Sequence, residues 1–353
     1  MVSSYQVVDL FCGAGGLAHG LMLEGFQIRA GYDIDPYCQY PFQKNNPGAV
    51  FVSQRVEELS PCEIASWYSG DAVSVLAGCA PCQPFSRYAQ GRTDKEQRWR
   101  LVKRFADLVS AVLPDVVTME NVPDLVRFRQ GLVFRGFVSQ LESAGYHVYY
   151  APCVFCPDYG IPQTRSRLVL IASRLAPVTL IEPTHNPEQY LDVHSAIGDL
   201  ESLQAGEASE TDRLHRAAKL SRRNLARIRA SKPGGSWNDW PPELVAGCHR
   251  RSSGVTYQSV YGRMRWDEPS PTITTQAYAY GSGRFGHPEQ DRALTLREAA
   301  LLQTFPPDYE FVPPDEPVYF RRVGALIGNA VPVALGRAIA KSIEQSLVSP
   351  EEG

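Results

Sequence analysis

The 353-residue chain has no apolar run long enough to span a bilayer and no signal-peptide pattern over Met1–Leu10. Those two lacks argue against a membrane protein and against secretion. No internal repeat or low-complexity block is present, which excludes a repeat architecture. A large net charge is missing too: 35 Lys and Arg nearly balance 38 Asp and Glu for a formal net charge of -3, so any nucleic-acid surface must show in the distribution of charge rather than its sum. Cysteine is sparse, eight residues in all, and without a secretory signal these predict reduced thiols in a cytoplasm rather than a disulfide framework. Two Cys-x-x-Cys pairs, Cys79/Cys82 and Cys153/Cys156, lie too far apart in sequence for the usual zinc spacings, and no metal is expected. Hydrophobic content of 44% and charged content of 21% are ordinary for a globular protein, and the length suits one large domain or two modest ones.

What is present is a succession of short apolar runs that end in chemically loaded loops. Gln6–Phe11 reads as a buried strand running into Cys12-Gly13-Ala14-Gly15-Gly16-Leu17 and then a helical pattern to Glu24. Strand, glycine loop and helix form the nucleotide-binding opening of a doubly wound α/β fold. A second strand, Ile28–Tyr32, ends at Asp33-Ile34-Asp35, where an acidic group commonly holds a ribose hydroxyl. Gly13-x-Gly15-x-x-Ala18 also fits a dinucleotide fingerprint, so an NAD-dependent dehydrogenase is one reading of this end.

Val73–Ala77 predicts a buried strand followed by Gly78-Cys79-Ala80-Pro81-Cys82-Gln83-Pro84-Phe85-Ser86. The prolines stiffen this loop, and a thiol at the carboxyl end of an internal strand is placed as a nucleophile. The alternative is Cys82 as a small core residue. A polar surface loop is expected over Arg87–Arg98, then a helix over Trp99–Leu113 stopped by Pro114. Asp115–Met119 predicts a strand ending in Glu120-Asn121-Val122-Pro123, with Glu120 either a general acid or a salt-bridge partner. In a parallel βαβ sheet all strand carboxyl ends meet at one edge, so the glycine loop, Asp33, Cys82 and Glu120 should line one crevice.

Leu132–Ala144 looks helical, and Tyr146–Cys153 and Leu168–Ala172 look like strands. Arg165 and Arg167, one residue apart, should share a face and suit phosphate or a base edge. From about Pro183 the texture turns to Pro, Gly, Ser and Arg. Eight Lys/Arg and no Asp or Glu lie between Arg213 and Lys232, with a basic helix expected over His215–Arg229. Trp237, Trp240, Tyr257, Tyr261 and Trp266 alternate with Arg250, Arg251, Arg263 and Arg265. Clustered cations with aromatics are the footprint of a nucleic-acid surface, although such a run can equally be a solvated face. Thr295-Leu296-Arg297-Glu298 is a capping box, and Pro332 opens a last helix buried through Val333, Leu335, Ile339 and Ile343.

Six segments in order resemble the cytosine-5 DNA methyltransferases: Asp9–Leu17, Pro81–Gln83, Glu120–Val122, Gln163–Arg167, Arg297–Pro306 and Gly328–Pro332. The resemblance covers nearly the whole chain. It implies an α/β, doubly wound, mostly parallel catalytic domain over 1–182, a smaller irregular target-recognition domain over 183–270, and a hinge and C-terminal return over 271–353. It implies methyl transfer from S-adenosylmethionine, with S-adenosylhomocysteine as product, to carbon 5 of a flipped cytosine in duplex DNA. Cys82 would attack carbon 6, Glu120 would protonate nitrogen 3, and Arg165 and Arg167 would complete the catalytic set. Phe11, Gly13, Gly15, Asp33, Ile34, Asn329 and Val331 would hold the cofactor. Gln83, Ser86, Arg87, Arg216, Arg227, Arg250, Arg251, Arg263 and Arg265 would contact DNA. The expected setting is a monomer in a prokaryotic cytoplasm, with a restriction endonuclease of the same site as partner. A same-fold RNA methyltransferase and a silent DNA-binding regulator are the alternatives. The Cys-Phe-Thr motif usual in the first is absent, and the regulators typically lose the Cys or the Glu, both of which are present here.

Overall fold

Alternating apolar strands and amphipathic helices build the first of two compact units in this computed structural model, which describes residues 4–81, 95–251 and 258–347. That unit comprises 1–159, 166–184 and 330–353; the second comprises 160–165 and 185–329. Residues 271–329 group with 185–270, and the chain from Ala330 groups with the first unit, inside the 271–353 span expected to hold a hinge and a C-terminal return.

The first unit holds strands β1 (Tyr5–Leu10), β2 (Gln27–Asp33), β3 (Val50–Ser53), β4 (Val73–Gly78), β5 (Val116–Asn121), β6 (His147–Phe155) and β7 (Ser166–Ser173). They form one sheet in the order β3-β2-β1-β4-β5-β7-β6. The pairs through β5 are parallel, whereas β7 runs antiparallel to both β5 and β6. Helices α1 (Gly16–Leu23), α2 (Gln39–Asn45), α3 (Pro61–Ala65), α4 (Lys95–Val112) and α5 (Leu132–Ser143) connect them. The helix α4 already covers Lys95–Arg98, the end of the expected polar loop; the rest of that loop lies outside the described residues. The helix ends where Leu113 adopts a positive φ of 52° ahead of Pro114.

Side-chain alternation along the strands divides the sheet into two faces. Val8, Leu10, Leu76, Val117, Met119, Leu168 and Leu170 join Phe105, Leu108, Phe134 and Leu141 of α4 and α5 in one buried cluster. The opposite face, reached by Asp9, Ala77, Cys79, Glu120 and Arg167, lies on the side of α1 and the C-terminal helix Val333–Leu347. Those two helices touch through small residues: a Cβ on Gly20 would sit 2.4 Å from the Val333 carbonyl oxygen and 2.8 Å from the Gly336 Cα. Val333, Leu335, Ile339 and Ile343 are buried, as their spacing predicts. The stretch Phe320–Leu347 is long and apolar enough to cross a membrane by composition, but 72% of its most apolar window is buried within the protein.

The second unit has little regular structure: α6 (Val193–Ile197), α7 (Arg222–Ala230), α8 (Leu296–Leu302), α9 (Phe320–Asn329) and a two-residue strand pair, Gln163–Thr164 with Ser270–Pro271. The predicted capping box opens α8, with Thr295 and Glu298 bonding each other's backbone. Glu298 also forms a bidentate pair with the fully buried Arg292, at 2.7 and 2.8 Å. The basic helix expected from His215 starts only at Arg222. His215 is instead buried, with its ring nitrogens 3.1 Å from Thr295 Oγ1 and 2.8 Å from the Glu201 carbonyl oxygen.

Candidate active site

At the carboxyl end of β1 the chain turns sharply. Phe11 has φ 60°, a costly value for an aromatic residue and a mark of a locally constrained loop. Gly15, at φ 91°, caps α1 in the left-handed region that glycine tolerates. Asp33 at the end of β2 ties this loop down: its Oδ2 accepts from the Gly13 amide at 3.0 Å and its Oδ1 from the Asp35 amide at 2.9 Å. Burial raises the Asp33 carboxyl pKa, while those amide bonds pull it back. Each oxygen keeps a further lone pair for a ligand hydroxyl. Ile34 beside it is 61% exposed, an open apolar surface at the mouth of the same crevice. The return of the chain closes on the loop as well, since a Cβ on Gly16 would lie 2.3 Å from the Val331 carbonyl oxygen. Asn329 ends α9 in the second unit, so the two C-terminal cofactor residues expected from sequence fall in different units.

Asp9 was not expected here. It is 1% exposed on β1, and neither carboxylate oxygen has a hydrogen bond of good geometry. Burial first, then the Asp33 charge, push its pKa up to about 8, with the Ala18 amide offering a weaker opposing contact. A charged residue inside the apolar run Val7–Phe11 was the available signal. A carboxyl so placed suits a cationic ligand group.

Glu120 lies within β5, not beyond it, and is 3% exposed. The Cys79 thiol donates to Oε2 at 2.9 Å. Arg167 on β7 brings Nε to 2.6 Å from Oε1, an ion pair without the alignment of a hydrogen bond. The register explains the meeting: Glu120 pairs with Val169, and Arg167 points to the same face two residues along. Asn121, the next residue, donates from Nδ2 to the Ala80 carbonyl at 3.0 Å and accepts from the Val122 amide through Oδ1. Its role was also missed, because an amide at a strand end has no distinctive spacing. The structure thus brings the glycine loop, Asp33 and Glu120 to one sheet edge. Cys82, Gln83, Ser86 and Arg87 lie outside the described residues.

The two arginines of Gln163–Arg167 do not act as a pair. Arg167 serves Glu120, whereas Arg165, 4% exposed in the second unit, donates to the Ile273 carbonyl at 3.2 Å. Gln163 is fully buried and donates to Gln303 Oε1 and the Leu302 carbonyl. Among the described residues no three His, Cys, Asp or Glu side chains gather as a metal site.

Several arginines expected on DNA are structural. Arg263 is 5% exposed and donates to four carbonyls, of Ile228, Ser231, His287 and Gln290, besides pairing with Asp291. Arg227 is buried over the rings of Trp240 and Tyr261 at 5.3 Å each, donating to the Leu244 carbonyl. Trp237, Trp240 and Tyr280 form a small core with Ile228, so that part of the aromatic–arginine cluster lies inside the second unit, while Tyr257 lies outside the described residues. Arg216 stacks on Phe320 at 5.5 Å and donates to the Val318 carbonyl. Arg265 is held by Asp267 and Glu268 at the surface. Arg250 and Arg251 are exposed, and Arg251 borders residues 252–257, outside the described set.

Comparison with known proteins agrees with this geometry. A Type II methylase of Herpetosiphon aurantiacus, M.HgiDII, is 51% identical over 97% of this chain and 95% of its own length. A Type II methyltransferase of Haemophilus parahaemolyticus, M1.HphI, is 33% identical over 96% and 87%. The fold matches that of a protein encoded within an Escherichia coli prophage with a TM-score of 0.70, at 22% identity, covering 98% and 99% of the two chains. The sequence model of the family described as C-5 cytosine-specific DNA methylase matches residues 5–345, and with that match nearly end to end the chain belongs to the family.

Proposed function

We propose that this DNA cytosine-5 methyltransferase uses S-adenosylmethionine to methylate one cytosine within a specific duplex sequence, as the modification enzyme of a restriction–modification system. The observation that carries the reading is the buried Glu120 carboxyl, gripped by Arg167 and by Cys79, which lies three residues before Cys82 in the sequence. The residues of the crevice fit the cofactor: the orphaned Asp9 carboxyl suits a cation, the spare lone pairs of Asp33 suit ribose hydroxyls, and the exposed Ile34 suits an adenine face. When bound, that group supplies an electrophilic methyl on a sulfonium.

The chain's own residues do the rest. Cytosine carbon 5 is a poor nucleophile. Addition of the Cys82 thiolate to carbon 6 moves an electron pair toward carbon 5, and Glu120 meets the charge developing at nitrogen 3 by donating a proton there. After methyl transfer, the carbon 5 proton leaves to a base, Cys82 is expelled as the double bond re-forms, and the nitrogen 3 proton returns to Glu120. Arg167 holds Glu120 in place. Reaching the base requires flipping it from the duplex, at about a few kcal/mol. The Type II names of the relatives support a partner endonuclease of the same site, and we place the enzyme as a monomer in a prokaryotic cytoplasm. Bisulfite sequencing of DNA from a host expressing the chain tests the reading. It should show one cytosine of one short motif protected from conversion, and protection scattered without a motif would refute sequence-specific modification.

A further inference from the structure

Glu120 is held from two strands by contacts of different kind. Arg167 Nε lies 2.6 Å from Oε1, close but unaligned, so it supplies charge more than direction. The Cys79 contact at 2.9 Å is a donated hydrogen bond, and hydrogen bonds are directional. Cys79 is itself anchored: its amide donates to the Leu10 carbonyl at 3.2 Å, carrying the β1–β4 ladder one residue further. The next carbonyl, of Ala80, accepts from Asn121. Two consecutive residues after β4 thus bind two consecutive residues of β5. A carboxyl turns broadly about its last bond unless something stops it. A group that must meet one ring nitrogen needs that rotation stopped.

We propose that Cys79 is a positioning residue for methyl transfer, its thiol setting the carboxyl plane of Glu120 for contact with the cytosine ring. This rests on the reading of Glu120 as the acid. The Cys79 thiol donates to Oε2, which gives it a role distinct from that of the attacking Cys82.

The test uses the full chain, tritiated S-adenosylmethionine and unmethylated phage DNA long enough to contain many copies of any short target. Cys79→Ala should lower kcat about ten-fold, the size expected for one hydrogen bond to a charged group. KM for DNA and for cofactor should change by less than about two-fold, because the contact acts on orientation rather than binding. Cys79→Ser, which keeps a donor, should recover most of the rate. In a Glu120→Ala background, where no carboxyl remains to orient, Cys79→Ala should have almost no further effect. Equal losses in both backgrounds, or a serine variant as slow as the alanine one, would overturn the proposal. A Glu120→Ala enzyme with ordinary turnover would instead overturn the reading of the acid beneath it. If Cys79→Ala aggregates, Cys79→Val fills the thiol's volume without a donor and takes its place in the same cycle.

Discussion

Asp9→Asn removes a buried carboxyl that has almost nothing to bond. Its pKa of about 8 stands roughly four units above the ordinary 3.8, so the unfolded chain ionises Asp9 long before the folded one does. A raised carboxyl pKa means stability that is complete below the unfolded value and lost as pH rises toward the folded value. Each pH unit in that window costs up to about 1.4 kcal/mol. Asparagine carries no such term. The assay is calorimetric unfolding of both proteins, without cofactor, between pH 5 and pH 8. Groups common to the two cancel in the difference. Wild type should fall progressively behind Asp9→Asn as pH rises. A constant gap across that range would show that Asp9 is compensated in the fold and would refute the reasoning.

Glu120→Gln should slow methyl transfer by roughly 10²–10⁴-fold while cofactor binding by calorimetry changes little. Cys82→Ala should abolish covalent trapping on DNA in which cytosine is replaced by 5-fluorocytosine, with duplex binding retained in a gel-shift assay. Arg263→Ala should lower the unfolding midpoint, through a loss of about 3–5 kcal/mol typical of breaking a buried charged network, and should leave the methylated motif unaltered; a viable variant with relaxed target choice would restore Arg263 to the DNA surface. His287, driven by burial to a pKa of about 4 despite Glu298 nearby, is neutral in the fold but takes a proton when unfolded below about 6.5. Stability should therefore fall as pH drops from about 6.5 to about 4, by up to about 3 kcal/mol, and His287→Asn should lack that loss.

Four of the five parallel strands, β1, β2, β4 and β5, were legible because each announced itself twice, by an apolar run and by the loop after it. The run before Gly13, the run before Cys79 and the run before Asp33 all emerge as neighbours in the order β2-β1-β4. Direction was not legible for β6 and β7. An apolar run carries no arrow, and only the short connection over 156–165, with no helix long enough for a crossover, separates an antiparallel return from another βαβ unit. That return matters to the chemistry, since it is the antiparallel register of β7 on β5 that brings Arg167 to Glu120. Strand β3 and helices α2 and α3 passed unnoticed, being four to seven residues long and too short for periodicity to register.

The second unit shows why charge and aromatic content misled. Arg227 and Arg263 look in sequence like any other exposed cation, but each has a partner set that only folding assembles: two rings for one, four carbonyls and a carboxylate for the other. A unit with few strands leaves many backbone carbonyls without ladder partners, and buried carbonyls must be paired. Arginine, with five donors in a fixed fork, can satisfy several at once where a lysine could not. An arginine-rich segment poor in secondary structure is thus ambiguous between reading DNA and replacing a missing hydrogen-bond ladder. Exposure decides: Arg250 and Arg251 keep open surface, while Arg227 and Arg263 are buried. Burial thus sets Arg227 and Arg263 apart from the other expected DNA-contacting arginines, since Arg216, Arg250, Arg251 and Arg265 all keep solvent-facing surface.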